Sequence, residues 1–155
     1  MQDSAVLLHN IRSAHNVGSV FRTADAAGVS KIFLSGYTPQ PVDRFGRARV
    51  DISKVALGAE RYLPWEYEKN AYAIVSKLRK EGWSIVGVEQ DGRAMDYREF
   101  KLKGPTLFVF GNEVRGISPA LRKKCDELIE IPMRGKKESL NVAVTAGIIL
   151  FSVVQ

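Results

Sequence analysis

Residues 129–150 read IEIPMRGKKESLNVAVTAGIIL, and the rest of the chain is organised around them. A short apolar strand over residues 128–131 runs into Pro132, which has no N–H to offer a neighbouring strand. A basic loop follows over residues 134–138, with Arg134, Lys136 and Lys137 around Gly135. The pattern then predicts a helix opening at Ser139, whose hydroxyl suits an N-cap. Leu140, Val142, Ala143, Val144, Ile148, Ile149, Leu150 and Phe151 leave this helix no polar face. It is therefore expected to be buried on all sides, in the core, at a subunit interface or both. Asn141 is the odd residue: a buried amide needs partners, and packing alone gives no reason for it.

The chain has 155 residues, of which 45% are hydrophobic, enough for one domain with a real core. No apolar run approaches the roughly 20 residues of a membrane span, and the first ten residues lack the basic start and apolar length of a signal peptide. Cys125 is the only cysteine, so no intrachain disulfide forms and a cytoplasmic location is expected. His9 and His15 have no acidic partner nearby, which gives no metal cluster. Lys and Arg exceed Asp and Glu by 23 to 17, a net charge of +6. That balance favours a polyanion as partner.

Working outward, residues 6–8 form a strand candidate. Val17, Val20, Phe21, Ala24 and Ala27 then fall at helical spacing, with Asn16 as the expected N-cap and Gly28 as the stop. Small residues at Gly18 and Ser19 invite a close approach to the backbone, and Arg22 lies one turn further on. Residues 31–36 predict a second strand. In the loop after it, Arg44, Arg47 and Arg49 surround Phe45, a mixture suited to phosphate contact and base stacking. A short helix is expected over residues 52–57, a third strand over 61–66 and an amphipathic helix over 68–81. Strands follow over 83–88 and 106–110. Between them, residues 96–100 read as a connection; after the second, a helix capped by Ser118 with Pro119 in its first turn covers 120–125.

Apolar strands alternating with helices imply an α/β fold with a mostly parallel sheet covered on both faces. Ligands in such sheets bind beyond the carboxyl ends of the strands. The polar turns at residues 88–92, 111–113 and 131–135 are expected to converge there. No G-x-G-x-x-G follows the first strand and no P-loop is present, so a Rossmann-type nucleotide enzyme is unsupported.

Three segments carry a resemblance: NVGSVFRT at residues 16–23, FGNEVRGI at 110–117 and IPMRGKKESLNVAV at 131–144. In this order they resemble the motifs of the SPOUT class of RNA methyltransferases, in its SpoU/TrmH branch, and the likeness covers nearly the whole chain. It implies a sheet whose C-terminal part is threaded into a deep trefoil knot, against the general rule, and a single methyltransferase domain over residues 1–155 with no appended RNA-binding domain. It implies S-adenosylmethionine as methyl donor with no metal, held around Val88, Glu89, Gly111, Asn112, Ile131, Met133, Ser139 and Leu140. It implies a homodimer and transfer of the methyl group to a ribose 2′-hydroxyl.

Arg22 would then be the catalytic residue, supported by Asn16, Glu113, Ser139 and Asn141. A guanidinium is a poor base, so Arg22 acts through an RNA phosphate or orients the hydroxyl and steadies the developing alkoxide. Arg12, Arg115 and the loop arginines Arg44, Arg47 and Arg49 would grip phosphates. Transfer RNA is the favoured substrate, because an exposed loop is within reach of a small domain, and ribosomal RNA is the alternative. A non-catalytic RNA-binding relative is the competing reading, disfavoured by the intact set of polar residues.

Overall fold

Seven parallel strands form one sheet: β1 (Ser4–His9), β2 (Lys31–Ser35), β3 (Trp65–Tyr67), β4 (Ser84–Val88), β5 (Met95–Asp96), β6 (Thr106–Phe110) and β7 (Glu127–Glu130). The computed structural model describes residues 2–154. The strand order is β3-β2-β1-β6-β4-β7-β5, and every pairing is parallel. Side chains alternate between two cores, as a period of two requires. Val6, Leu8, Ile32, Leu34, Phe108 and Phe110 point into one, together with residues of α1 (Ala14–Ala27), α2 (Val50–Ala56) and α6 (Val142–Val153). Leu7, Phe33, Ile85, Leu107 and Val109 point into the other, covered by Ile74, Val75 and Leu78 of α4 (Ala71–Lys80). Both faces are covered, which is why the strands read as unbroken apolar runs.

Several boundaries differ from the sequence reading. The N-cap of α1 is Ser13, not Asn16; the Ser13 hydroxyl accepts from the Asn16 N–H at 3.1 Å, and Gly28 closes the helix at φ 83°. Arg61 and Tyr62 belong to a helical turn, α3 (Ala59–Tyr62), that starts from Gly58 at φ 92°. The third strand therefore begins only after Pro64. Strand β5 is two residues long, too short to carry a periodic signal. Ser118 caps α5 (Pro119–Arg122) by accepting from the Leu121 N–H.

The largest correction concerns α6. Its cap is Asn141, whose side-chain oxygen accepts from the N–H groups of Ala143 and Val144 at 2.8 and 3.3 Å, and the helix opens at Val142. Asn141 is exposed, not buried. Ala146, Ile149 and Leu150 are fully buried, but Val144 is 51% exposed and Phe151 45%. The helix is apolar all round and covered on one side only.

Cys125 sits under the sheet against Gly87, where a Cβ would stand 3.0 Å from its sulfur. Its Sγ–H points to the Leu121 carbonyl, and burial pushes the thiol up to about 11.

Gly18 is where α1 meets α2. A Cβ there would lie 2.7 Å from the Ile52 carbonyl oxygen and 3.0 Å from the Val55 Cβ. Backbone cannot rotate out of the way. Gly18→Ala gains about 1 kcal/mol of helix propensity but meets an overpacking cost of about 1–3 kcal/mol. We expect a net loss, seen as a lower urea midpoint with unchanged slope. A midpoint at or above that of the wild type would show that the two helices are not closely packed at this position.

Candidate functional site

The carboxyl ends of β4, β6 and β7 open into one cavity of about 160 Å3. The turns after these strands line it, and so does the segment leading into α6. Val88, Glu89, Gly111 and Asn112 contribute from the first two strand ends; Ile131, Met133, Ser139 and Leu140 contribute from the third. All eight residues expected to surround a cofactor are thus brought together. Val88, Phe110, Ile131 and Leu140 make an apolar slot between main-chain segments, and Ser139 stands at its rim two residues before the helix cap.

Two of the polar residues act on the walls with their side chains. Glu89 accepts from the Ile117 N–H at 2.8 Å and the Gln90 N–H at 3.1 Å, so its carboxylate ties the turn after β4 to the loop after β6. Asn112 uses both ends of its amide. Its oxygen accepts from the N–H groups of Val114 and Arg115, each at 2.9 Å, and its nitrogen donates to the Asn10 carbonyl and the Tyr37 hydroxyl, each at 3.0 Å. The hydrogen-bonding capacity of that side chain is full, so what Asn112 offers the cavity is main chain. Gly111 allows this loop to close: a Cβ there would lie 2.4–2.6 Å from backbone atoms of Gly116 and Ile117.

Beside the cavity, Glu113 accepts from the N–H groups of Arg12 and Ser13, both at 2.8 Å, and from the Asn16 side chain at 3.2 Å. The Asn16 oxygen in turn accepts from the Asn141 side chain at 3.1 Å. Three of the expected catalytic supports, Asn16, Glu113 and Asn141, therefore form one chain of hydrogen bonds linking the loop after β6 to the starts of α1 and α6. Partial desolvation raises the pKa of Glu113, but the N–H groups of Arg12, Ser13 and its own backbone and the Asn16 amide outweigh it and hold the carboxyl below the ordinary 4.5.

Arg22 is not part of this cluster. It is exposed on α1 and lines a separate shallow depression with Ser19, Val55 and Phe151. Arg12 and Arg115 flank another depression that shares Asn112, Glu113, Val114 and Arg115 with the main cavity. The arginine loop is ordered from within. Asp43 accepts from the N–H groups of Phe45 and Arg47, and the guanidinium carbons of Arg44 and Arg47 lie 4.8 and 5.0 Å from the Phe45 ring centroid. Arg47 pairs with Asp43 and Arg49 with Asp51.

Two residues escaped the sequence reading. Buried Thr38 donates to the Leu8 carbonyl and accepts from the Ile11 N–H, which fixes the turn after β1. Tyr37 stands on the rim of the Arg12–Arg115 depression. The signal for both was the position of GYT directly at the carboxyl end of β2. Among the described residues no group of three or more His, Cys, Asp or Glu side chains is placed to hold a metal, and no helix is long and apolar enough to cross a membrane.

Residues 3–151 match the model of the SpoU rRNA Methylase family. The chain is 37% identical over 150 residues to a 23S rRNA (guanosine-2′-O-)-methyltransferase of Vibrio parahaemolyticus, covering 97% of this chain and 58% of that protein. It is 34% identical to the protein of the same description from Pseudomonas aeruginosa, covering 96% and 57%. It thus spans a little over half the length of these relatives. Among solved structures it resembles an AdoMet-bound rRNA methyltransferase from Sinorhizobium meliloti, with TM-score 0.86 and 30% identity over 98% of this chain and 56% of that one. It also resembles a TrmH/SpoU tRNA modifying enzyme of A. aeolicus, with TM-score 0.85 and 28% identity over 99% and 75%.

The Glu113 clamp has a pH signature. Its folded pKa lies below the unfolded value, so its contribution is fully present above about pH 4.5 and is lost as pH falls through the lower, folded value. Glu113→Gln keeps the shape without the charge. We expect the variant to melt below the wild type at pH 7 and the gap to narrow as pH drops under 4.5. A gap that stays constant across that range in thermal melts would show that the charge contributes nothing.

Proposed function

The chain belongs to the SpoU methylase family, and from that premise we propose that it is an S-adenosylmethionine-dependent RNA ribose 2′-O-methyltransferase. The observation that carries this reading is the convergence of the three strand-end turns on one apolar slot, with the Asn16–Glu113–Asn141 chain beside it. A flat heteroaromatic ring between backbone groups is what such a slot accepts, so Val88, Gly111, Ile131, Met133 and Leu140 suit the adenine. When bound, S-adenosylmethionine supplies a methyl group activated on a sulfonium sulfur.

The chain's own task is to hold a ribose hydroxyl in line and to handle its proton. Arg22 takes that role in this proposal. Its guanidinium is a planar fork of donors, able to orient the hydroxyl and steady the charge growing on its oxygen. Asn16, Glu113, Ser139 and Asn141 serve by positioning the starts of the two helices. Arg12, Arg115, Arg44, Arg47 and Arg49 meet RNA phosphates.

Arg22 lies apart from the slot within one chain, which is a reason to invoke a second copy. Val144 and Phe151 stand uncovered on α6, and Phe151 borders the Arg22 depression. A homodimer closed over these side chains brings Arg22 to the interface. The C-terminal knot is part of the same reading. Strand β7 lies beyond β4 from the sheet centre, yet α6 returns to pack on α1, so the chain after residue 130 must re-cross the strand ends.

Ribosomal RNA is the substrate class we favour, because relatives above 30% identity bear 23S rRNA names. The sequence argument preferred transfer RNA, and the name of one structural relative at 28% identity keeps that reading open. Incubating RNA from cells lacking the gene with labelled S-adenosylmethionine, then mapping 2′-O-methyl positions, separates the two.

Two outcomes are expected. Arg22→Ala binds S-adenosylmethionine as the wild type does in calorimetry, without added metal, but transfers methyl at least about a hundredfold more slowly, and Lys does not restore the rate. Near-normal turnover of the alanine variant would remove Arg22 from the chemistry. In sedimentation the protein is a dimer at micromolar concentration, and Phe151→Glu dissociates it. A monomeric wild type would sink the shared site.

A further inference from the structure

Tyr37 is held more firmly than an exposed side chain needs to be. The residue is 58% exposed, yet both its backbone and its hydroxyl are fixed. The backbone N–H donates to the Asn10 side-chain oxygen at 3.1 Å, and the hydroxyl accepts from the Asn112 amide at 3.0 Å. Two unusual backbone conformations support this. Asn10 has φ 56° and Gly36 has φ 63°, and a Cβ on Gly36 would stand 1.8 Å from that same Asn10 oxygen. A left-handed asparagine carries a conformational cost, and here it holds the loop that presents one aromatic ring to solvent.

The ring also stands between two basic depressions. On one side lie Arg12 and Arg115, in the depression that shares its wall with the strand-end cavity. On the other lie Arg44 and Arg49. A rigid, exposed ring with guanidinium groups on both sides matches a single-stranded nucleotide: base on the ring, phosphates on the arginines. Phe45 is a weaker platform, since Arg44 and Arg47 already lie over its ring.

We propose that the Tyr37 ring is the platform on which the base of the target nucleotide stacks, so that this protein selects an unpaired nucleotide as its substrate. The inference rests on the RNA methyltransferase reading and adds to it the recognition of the base. Stacking needs a base splayed from its helix, and the hydroxyl tie to Asn112 places the ring next to the loop that forms the cavity wall.

The test measures binding of a fluorescein-labelled single-stranded RNA oligonucleotide, and of the same sequence as a duplex, to the full chain. Tyr37→Ala is expected to weaken single-strand binding about 5- to 150-fold, the range for losing one aromatic–base stack. Tyr37→Phe, which keeps the ring and loses the tie to Asn112, stays within about twofold of the wild type on the same scale. Duplex binding is insensitive to both changes, and S-adenosylmethionine affinity is unchanged in both. The proposal is overturned if Tyr37→Ala binds the single strand normally, if Tyr37→Phe falls with it, if the duplex shows the same dependence, or if cofactor affinity drops. This binding measurement stands whether or not methyl is transferred. A wild type that binds single strands through Tyr37 but labels no RNA would sink the enzymatic reading and leave the platform in place.

Discussion

Three N–H groups drawn from residues 97 to 101 positions earlier in the chain converge on the carboxylate of Glu113. One of them, on Asn16, passes the connection to Asn141 and so to the start of α6. Through this chain of hydrogen bonds, three distant segments become one surface. Asn16 is buried, so removing Glu113 or Asn141 strips its amide of a partner, and a buried donor or acceptor left without one costs about 1–3 kcal/mol. The carboxylate end is also charged, which strengthens its bonds to N–H donors. The cavity next to it is shaped by the same economy: Glu89 and Asn112 spend their side chains on the loop after β6, and the main chain is left to face a ligand.

The sheet could be read from the chain because its physics is repetitive. Strand β6 falls on the residues expected, 106–110, since Thr106 and four apolar residues bounded by Pro105 and Gly111 admit little else. The convergence of the turns at residues 88–92, 111–113 and 131–135 followed from the parallel order alone. Where the reading failed, the deciding contact was remote. Both Ser13 and Asn16 suit an N-cap, but Asn16 has its amide occupied by Glu113 and Asn141, and nothing local reveals those partners. Asn141 was misjudged as buried because its neighbours are all apolar, when it is the cap that lets such a helix begin. Tyr37 was passed over because a tyrosine after a strand carries no periodic signal.

The arginine loop illustrates how charge and order combine. Two of its three guanidinium groups have carboxylate partners within the loop or just after it, at 2.9 and 2.7 Å. Such exposed pairs add little stability. Their effect is to set the direction of the side chains in advance, which reduces the ordering cost of any contact they make. The same pairs lower the net positive charge available there, so the overall +6 overstates the pull of this one loop.

The order of the strands governs when the molecule can take shape. Strand β1 lies between β2 and β6, pairing Ser4 with Thr106 across a hundred residues. Loops of that length close slowly and are rewarded only once both strands are present. On a ribosome the first four helices and three strands emerge with one edge of β1 unpaired, and unpaired strand edges invite association with other chains. The centre of the sheet seals when residue 110 is free, and the cavity gains its last wall only with residues 130–145. A small molecule that fills the cavity therefore has nothing to rescue early: stabilisation by mass action begins after the backbone has already found its course.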